Sequence, residues 1–205
     1  MYSHKHNLII GFHGCDKSVQ QKVINNQEPL YKSENDYDWL GHGIYFWENN
    51  FSRALDFAHE FKGFTRRDKP TITTPAVIGA VIDLGYCLDL LDNYYLEFLK
   101  STYETLKKSH ENKGMDIPQN KPVRGSIDFL LRNLDCAVIE TTHRVHARMG
   151  GNSFDSVRGV FVEGKELYPN SGFREKNHIQ ICIRNPNCIK GYFIPREEDQ
   201  GYPVP

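Results

Sequence analysis

The first hydrophobic stretch, Leu8-Ile9-Ile10-Gly11-Phe12-His13-Gly14, has a period of two. Leu8, Ile10 and Phe12 fall on one face and Ile9, Gly11 and His13 on the other, which predicts a strand with His13 at its end. The period then lengthens: Val19, Val23 and Ile24 follow Asp16, a helix-capping residue type, and predict a short helix that ends before Pro29. Polar turn residues 32–38 lead into Gly41-His42-Gly43-Ile44-Tyr45-Phe46. Beyond them Ala54, Phe57, Ala58 and Phe61 recur at helical spacing behind candidate caps Asn49, Asn50 and Ser52. The β-branched stretch Thr71–Leu84 reads as a buried strand stopped at Gly85.

Two further helical stripes follow. Tyr95, Leu96, Leu99, Tyr103 and Leu106 predict a helix over 92–108, and Ile127, Leu130, Leu131, Leu134 and Val138 one over 126–139, with a loop between them at 110–123. Segments 157–163, 178–184 and 189–194 read as strands. Helices and strands are mixed without regular βαβ alternation, so the predicted class is α+β. The expected organisation is one domain over 1–194, with a helical insertion around 92–139 and a tail at 195–205.

Composition narrows the function. The 205 residues are 39% hydrophobic and 25% charged, which suits one packed domain and excludes a disordered or fibrous chain. A formal net charge of −1 excludes global attraction to nucleic acid. Only local patches such as Lys62, Arg66, Arg67 and Lys69 remain for that purpose. The five cysteines are odd in number and lack C-x-x-C spacing, so reduced thiols and a cytoplasmic protein are expected. The longest apolar run, Ala76–Ile82, is far shorter than the ~20 residues of a membrane helix, and the N-terminus lacks a signal-peptide pattern, so no membrane association is expected. His143 and His146 lack a third metal ligand and, with Arg144 and Arg148, read as a solvated basic face; no metal is expected. No dinucleotide G-x-G-x-x-G turn or Walker lysine occurs.

Three segments combine into a recognisable set: Gly11-Phe12-His13-Gly14, Gly41-His42-Gly43-Ile44-Tyr45-Phe46, and the late strand Asn177-His178-Ile179-Gln180-Ile181-Cys182-Ile183. Together they resemble the ADP-ribosyltransferase superfamily, in its poly(ADP-ribose)-polymerase-like branch. That branch carries a His, a Tyr and usually a Glu on three separate strands. The resemblance implies two small packed sheets forming a cleft for NAD, with peripheral helices. It implies that Gly14 holds the nicotinamide amide, that His13 bonds a ribose, and that Tyr45 and Phe57 stack on the nicotinamide ring, with Cys15 and Gly43 also lining the site. A flat pyridinium between aromatic faces gains burial and cation–π attraction. Arg158 is a further candidate for the pyrophosphate.

The third position departs from the pattern. Alternation sends Ile179, Ile181 and Ile183 to one face and His178, Gln180 and Cys182 to the other, so Gln180 stands where the family has Glu. An amide supplies a hydrogen bond without the charge that stabilises an oxocarbenium ion, and the loss of one such contribution costs roughly 10²–10³ in rate. Glu175, in the preceding loop, is the nearest alternative carboxylate. The expected function is transfer of a single ADP-ribose from NAD, the co-substrate, to an unidentified protein or nucleic-acid acceptor, with catalytic candidates His13, Tyr45, Gln180 and Glu175. The resemblance further implies a toxin or defence effector. A non-catalytic NAD or ADP-ribose binding module and an NAD glycohydrolase are the alternatives.

Overall fold

The computed structural model describes residues 8–64, 70–123 and 128–203. Strand β1 (Ile9–Asp16) runs directly into α1 (Lys17–Ile24), and β2 (Ile44–Glu48) is followed by α2 (Phe51–Glu60). Then come β3 (Pro75–Ile82), β4 (Cys87–Asp89), α3 (Asn93–Asn112), β5 (Asn120–Lys121), β6 (Leu131–Arg132) and α4 (Asn133–Arg148). Strands β7 (Ser156–Phe161), β8 (His178–Ile183) and β9 (Ile189–Phe193) complete the chain order.

The fold is α+β, as the mixed hydrophobic periods predict. Its seven-stranded sheet has the order β4-β7-β8-β2-β1-β3-β9, and β5 and β6 form a separate two-stranded ribbon. Among the strands of the described residues, β4 and β7 pair in parallel and the other pairs are antiparallel. The expected pair of small packed sheets is therefore corrected to one continuous main sheet. The physical reason is a stitch: β1 pairs along its whole length with β3, yet also meets β2 at Gly11↔Glu48 and Phe12↔Trp47.

Both faces of the sheet are covered. On one, Ile44, Phe46, Ile78, Ile82, Ile181 and Ile183 pack with Val19 and Val23 of α1. On the other, Trp47, Val77 and Ala54 of α2 form one cluster, and Leu88, Val157, Cys182 and Ile139 of α4 form a second. A sheet buried on both sides explains why β3 reads as an unbroken apolar run rather than an alternating one.

Two polar groups fasten this frame. Asp16 is 6% exposed and caps α1, accepting from the Ser18 amide at 2.9 Å and hydroxyl at 2.6 Å. Its second oxygen accepts from the Thr73 amide and hydroxyl and from the Thr74 amide. Burial pushes the Asp16 carboxyl up, but the bonds from Ser18, Thr74 and Thr73 outweigh it and hold the group well below the usual 3.8. Replacing Asp16 by alanine is expected to cost roughly 3–5 kcal/mol in urea unfolding, the sum of a lost cap and of donors left unpaired. The folded-state value is depressed, so this contribution is present above about pH 4 and is lost as pH falls below it. Asp16→Asn should flatten that acid limb.

The second fastener is Arg158 on β7, which meets Glu48 of β2 at 2.6 Å and Asp89 of β4 at 3.3 Å, all three side chains at most 16% exposed. Arg158 therefore ties three strands together and is not available to a pyrophosphate. Arg158→Met removes the counter-charge of two half-buried carboxylates and should cost roughly 3–5 kcal/mol in the same assay.

The predicted helix over 126–139 is corrected to Asn133–Arg148. Leu131 and Arg132 pair instead with Asn120 and Lys121, and Asn120 Oδ1 accepts from the Leu134 and Asp135 amides, capping α4 from outside its own segment. The expected solvated face at His143 and His146 is also corrected. Both rings pack on Phe154, at 5.7 and 4.5 Å, and His146 also meets Tyr86 and Phe98. Of the basic patch only Lys62 can be placed; Arg66, Arg67 and Lys69 lie outside the described residues.

Candidate functional site

The site builds from the point where β1 and β2 part. Their pairing stops at Phe12↔Trp47, although the same register would continue to Gly14 and Tyr45. His13 is what bridges the gap: its Nδ1 lies 2.8 Å from the Tyr45 carbonyl oxygen, where a β1 amide would otherwise donate. A carbonyl only accepts, so Nδ1 carries the proton. The imidazole thus acts as a spacer in a forked sheet, with its ring 5.9 Å from Phe46.

Backbone alternation orients the next peptide. The Asn49 amide donates to Ile10, and the Lys17 amide donates to Thr74 just beyond β3. Even-numbered residues of β1 therefore turn their N–H and C=O toward β2, and odd-numbered ones toward β3. Gly14 is even-numbered, so its donor and acceptor face the fork. The missing side chain has a separate cause: a Cβ on Gly14 would lie 2.1 Å from the Ala54 carbonyl oxygen of α2. Cys15, odd-numbered, pairs with Ala76 of β3 and buries its thiol in the core, where burial first and Asp16 second push it up to about 12. It offers the fork neither a thiolate nor a peptide group.

Tyr45 projects to the opposite face from His13, the face of Leu40 and Cys182. Its hydroxyl donates to the Gly41 carbonyl at 2.7 Å and accepts from the Leu40 amide at 3.0 Å, so it closes the turn that precedes its own strand. Burial holds this phenol well above its ordinary range, hence neutral. The residue as a whole is half-buried. Gly43 exchanges two backbone bonds with Ser33, and a Cβ there would lie 2.5 Å from Cys182 Sγ. Its smallness serves packing. Phe57 of α2 lies against Trp47 at 5.0 Å and Phe61 at 4.6 Å, within the cluster under α2.

Gln180 sits opposite Trp47 on β8, and its Oε1 accepts from the Trp39 indole N–H at 2.7 Å. Glu175 is exposed, and its carboxylate accepts from the Lys165 amide at 3.3 Å, closing the hairpin that precedes β8. The structure thus brings His13, Gly14 and Tyr45 together at the fork and Gln180 onto the neighbouring strand, and it ties Glu175 to a loop. The sequence reading missed Trp39, Trp47 and His178. The aromatic content hinted at such rings, but nothing local marks which ones meet β8.

No family model matches the chain, and no solved structure matches it. The uncharacterized protein MJ0359 of Methanocaldococcus jannaschii is 25% identical over 204 aligned residues, which cover 87% of this chain and 83% of its own. Among the described residues no helix is long and apolar enough to cross a membrane, and no group of three or more His, Cys, Asp or Glu could hold a metal ion.

Proposed function

We propose that this protein is an NAD-dependent mono-ADP-ribosyltransferase and that the fork between β1 and β2 receives the nicotinamide. The observation that carries the reading is the Gly14 peptide, whose N–H and C=O face the side from which β2 has departed. A primary carboxamide presents the complementary C=O and N–H₂, the same pair of groups that a paired strand would present. Nicotinamide is a flat ring bearing that carboxamide. The His13 imidazole and the backbone carbonyl of Tyr45 border the same opening.

The test is incubation with labelled NAD and a cell lysate, with protease and nuclease arms. Release of nicotinamide and retention of label on a macromolecule support the reading, and the arm that removes the label identifies the acceptor as protein or nucleic acid. Absence of both nicotinamide release and label in every lysate contradicts it. A second reading, a non-catalytic NAD or ADP-ribose binding module, is favoured by Gln180, a neutral amide already bonded to Trp39. Stoichiometric binding of NAD that stays intact after long incubation would select it. Free ADP-ribose without labelled macromolecule would select glycohydrolysis.

A further inference from the structure

Strand β2 gives up backbone pairing on both of its edges near its start. Toward β1 the pairing stops at Phe12↔Trp47, and toward β8 it stops at Ile44↔Ile183. On the first edge His13 fills the gap. On the second, Arg184 follows Ile183 and turns its amide away to the Asp155 carbonyl, so only its side chain reaches the approach to β2. Arg184 Nη1 donates to the His42 carbonyl at 3.3 Å and to Glu140 Oε1 of α4 at 2.7 Å. The same Glu140 oxygen accepts from the His42 amide at 2.9 Å. One ion pair thus grips both backbone groups of one residue.

The turn around His42 fits this grip. Gly41 has a φ of 76°, in the left-handed region, and a Cβ there would lie 2.5 Å from Glu140 Oε1. The Gly41 amide donates to the Asp38 carbonyl, and the His42 ring lies 3.9 Å from Cys136 Sγ, again on the α4 side. Burial pushes the Glu140 carboxyl up, but the His42 amide and the Arg184 charge outweigh it and hold the group below its ordinary range, hence ionised. Tyr45, whose carbonyl borders the fork, lies three residues beyond His42. A cavity of about 550 Å³ opens onto the pair, with Lys32, Glu34, His42 and Asp155 also on its walls. Arg184 is 25% exposed and Glu140 18%, so a small cation can reach the carboxylate from solvent.

We propose that Arg184 and Glu140 are positioning residues that hold the start of β2 on the α4 side and so keep the fork beside Gly14 open for the nicotinamide of NAD; the proposal rests on the ADP-ribosyl transfer reading. The restraints on the two edges of β2 are complementary. The His13 ring sets the separation from β1, and the ion pair holds the strand from the other edge. Without the pair, residues 42–45 are free to approach β1, and only a fraction of the molecules present an open fork. Apparent affinity falls by that fraction, while the complex, once formed, reacts as before.

The experiment uses the full chain with NAD as probe and measures nicotinamide release and urea unfolding for wild type, Arg184→Ala and Glu140→Gln. Arg184→Ala is expected to raise KM about tenfold and to leave kcat within about twofold, at a folded fraction matched to wild type. A purely structural contribution would lower the active fraction, and with it kcat, and leave KM in place. Guanidinium chloride at a millimolar, non-denaturing concentration has access to Glu140 through the cavity and should reverse most of the KM shift in Arg184→Ala, whereas equal sodium chloride should not. Glu140→Gln keeps an oxygen for the His42 amide and loses the charge, so its KM should rise about threefold. If Arg184→Ala does not unfold cooperatively, the Glu140→Gln shift decides. Unchanged KM, a loss of kcat at constant KM, or a KM shift that guanidinium reduces no more than sodium chloride does, overturns the positioning role and leaves the transferase reading standing. If the wild type binds NAD without cleaving it, dissociation constants from calorimetry replace KM: binding about tenfold weaker in Arg184→Ala supports the proposal, and equal binding overturns it. A wild type that neither binds nor cleaves NAD overturns the transferase reading and the proposal with it.

Discussion

His13→Ala is expected to lower nicotinamide release from NAD about 10²–10³-fold, the loss associated with removing one preorganised polar group from a site. The expectation rests on two functions of one ring. His13 holds the Tyr45 carbonyl at 2.8 Å, and in doing so it keeps β2 away from Gly14. Without the imidazole the fork can narrow toward ordinary strand pairing, and the Gly14 peptide would then meet Tyr45 instead of a ligand. The fold itself should persist, because β1 is paired along its full length with β3. His13→Ala should therefore lose about 1–2 kcal/mol in urea unfolding, the scale of one hydrogen bond with its packing, while losing nearly all turnover. A variant that loses turnover only in proportion to its folded fraction would contradict this division.

Gly14→Ala is expected to do the reverse and strike the fold first. The added Cβ would lie 2.1 Å from the Ala54 carbonyl oxygen and 3.4 Å from the Ala58 amide nitrogen, both backbone atoms of α2. Neither can swing aside as a side-chain tip can, so the helix must move from the sheet and loosen the Trp47, Ala54 and Val77 cluster. Overpacking of this kind costs roughly 3 kcal/mol or more. Gly191→Ala, whose Cβ would meet nothing within 4 Å, is the matched control and should stay within about 0.5 kcal/mol of wild type. Equal stability of the two variants in equilibrium unfolding would show that α2 does not rest on Gly14 as closely as described. A role of Gly14 in binding thus has to be read from its peptide groups, through ligands that lack the carboxamide.

Much of this was legible in the chain. The period-two start, the Asp16 cap and the i, i+3, i+4, i+7 stripe behind Asn50 give β1, α1 and α2 nearly to the residue, because each signal lies within the element that it specifies. The failures share the opposite property. Helix α4 is capped by Asn120, thirteen residues before its first residue Asn133, so no local pattern marks its start. Strand β4 is three residues long and exists through parallel pairing with β7, some seventy positions away. Its segment carries no β signal of its own.

The site divides in the same way. His13 and Tyr45 stand out within short motifs, and the fold brings their strands side by side. What surrounds them depends on distant partners: Trp39 meets Gln180 across 141 residues, and Arg53 meets Glu163 across 110. Gln180, read from its place on the strand as standing where the family has Glu, has its oxygen bonded to an indole.

The central claim is that the fork at His13 receives and cleaves NAD. The most direct test is chromatographic measurement of nicotinamide released from NAD in lysate-supplemented reactions, with wild type and His13→Ala at matched folded concentration. The account predicts time-dependent release by the wild type and a rate about 10²-fold lower or less in the variant. Equal rates in the two proteins, or no release by either, would contradict it.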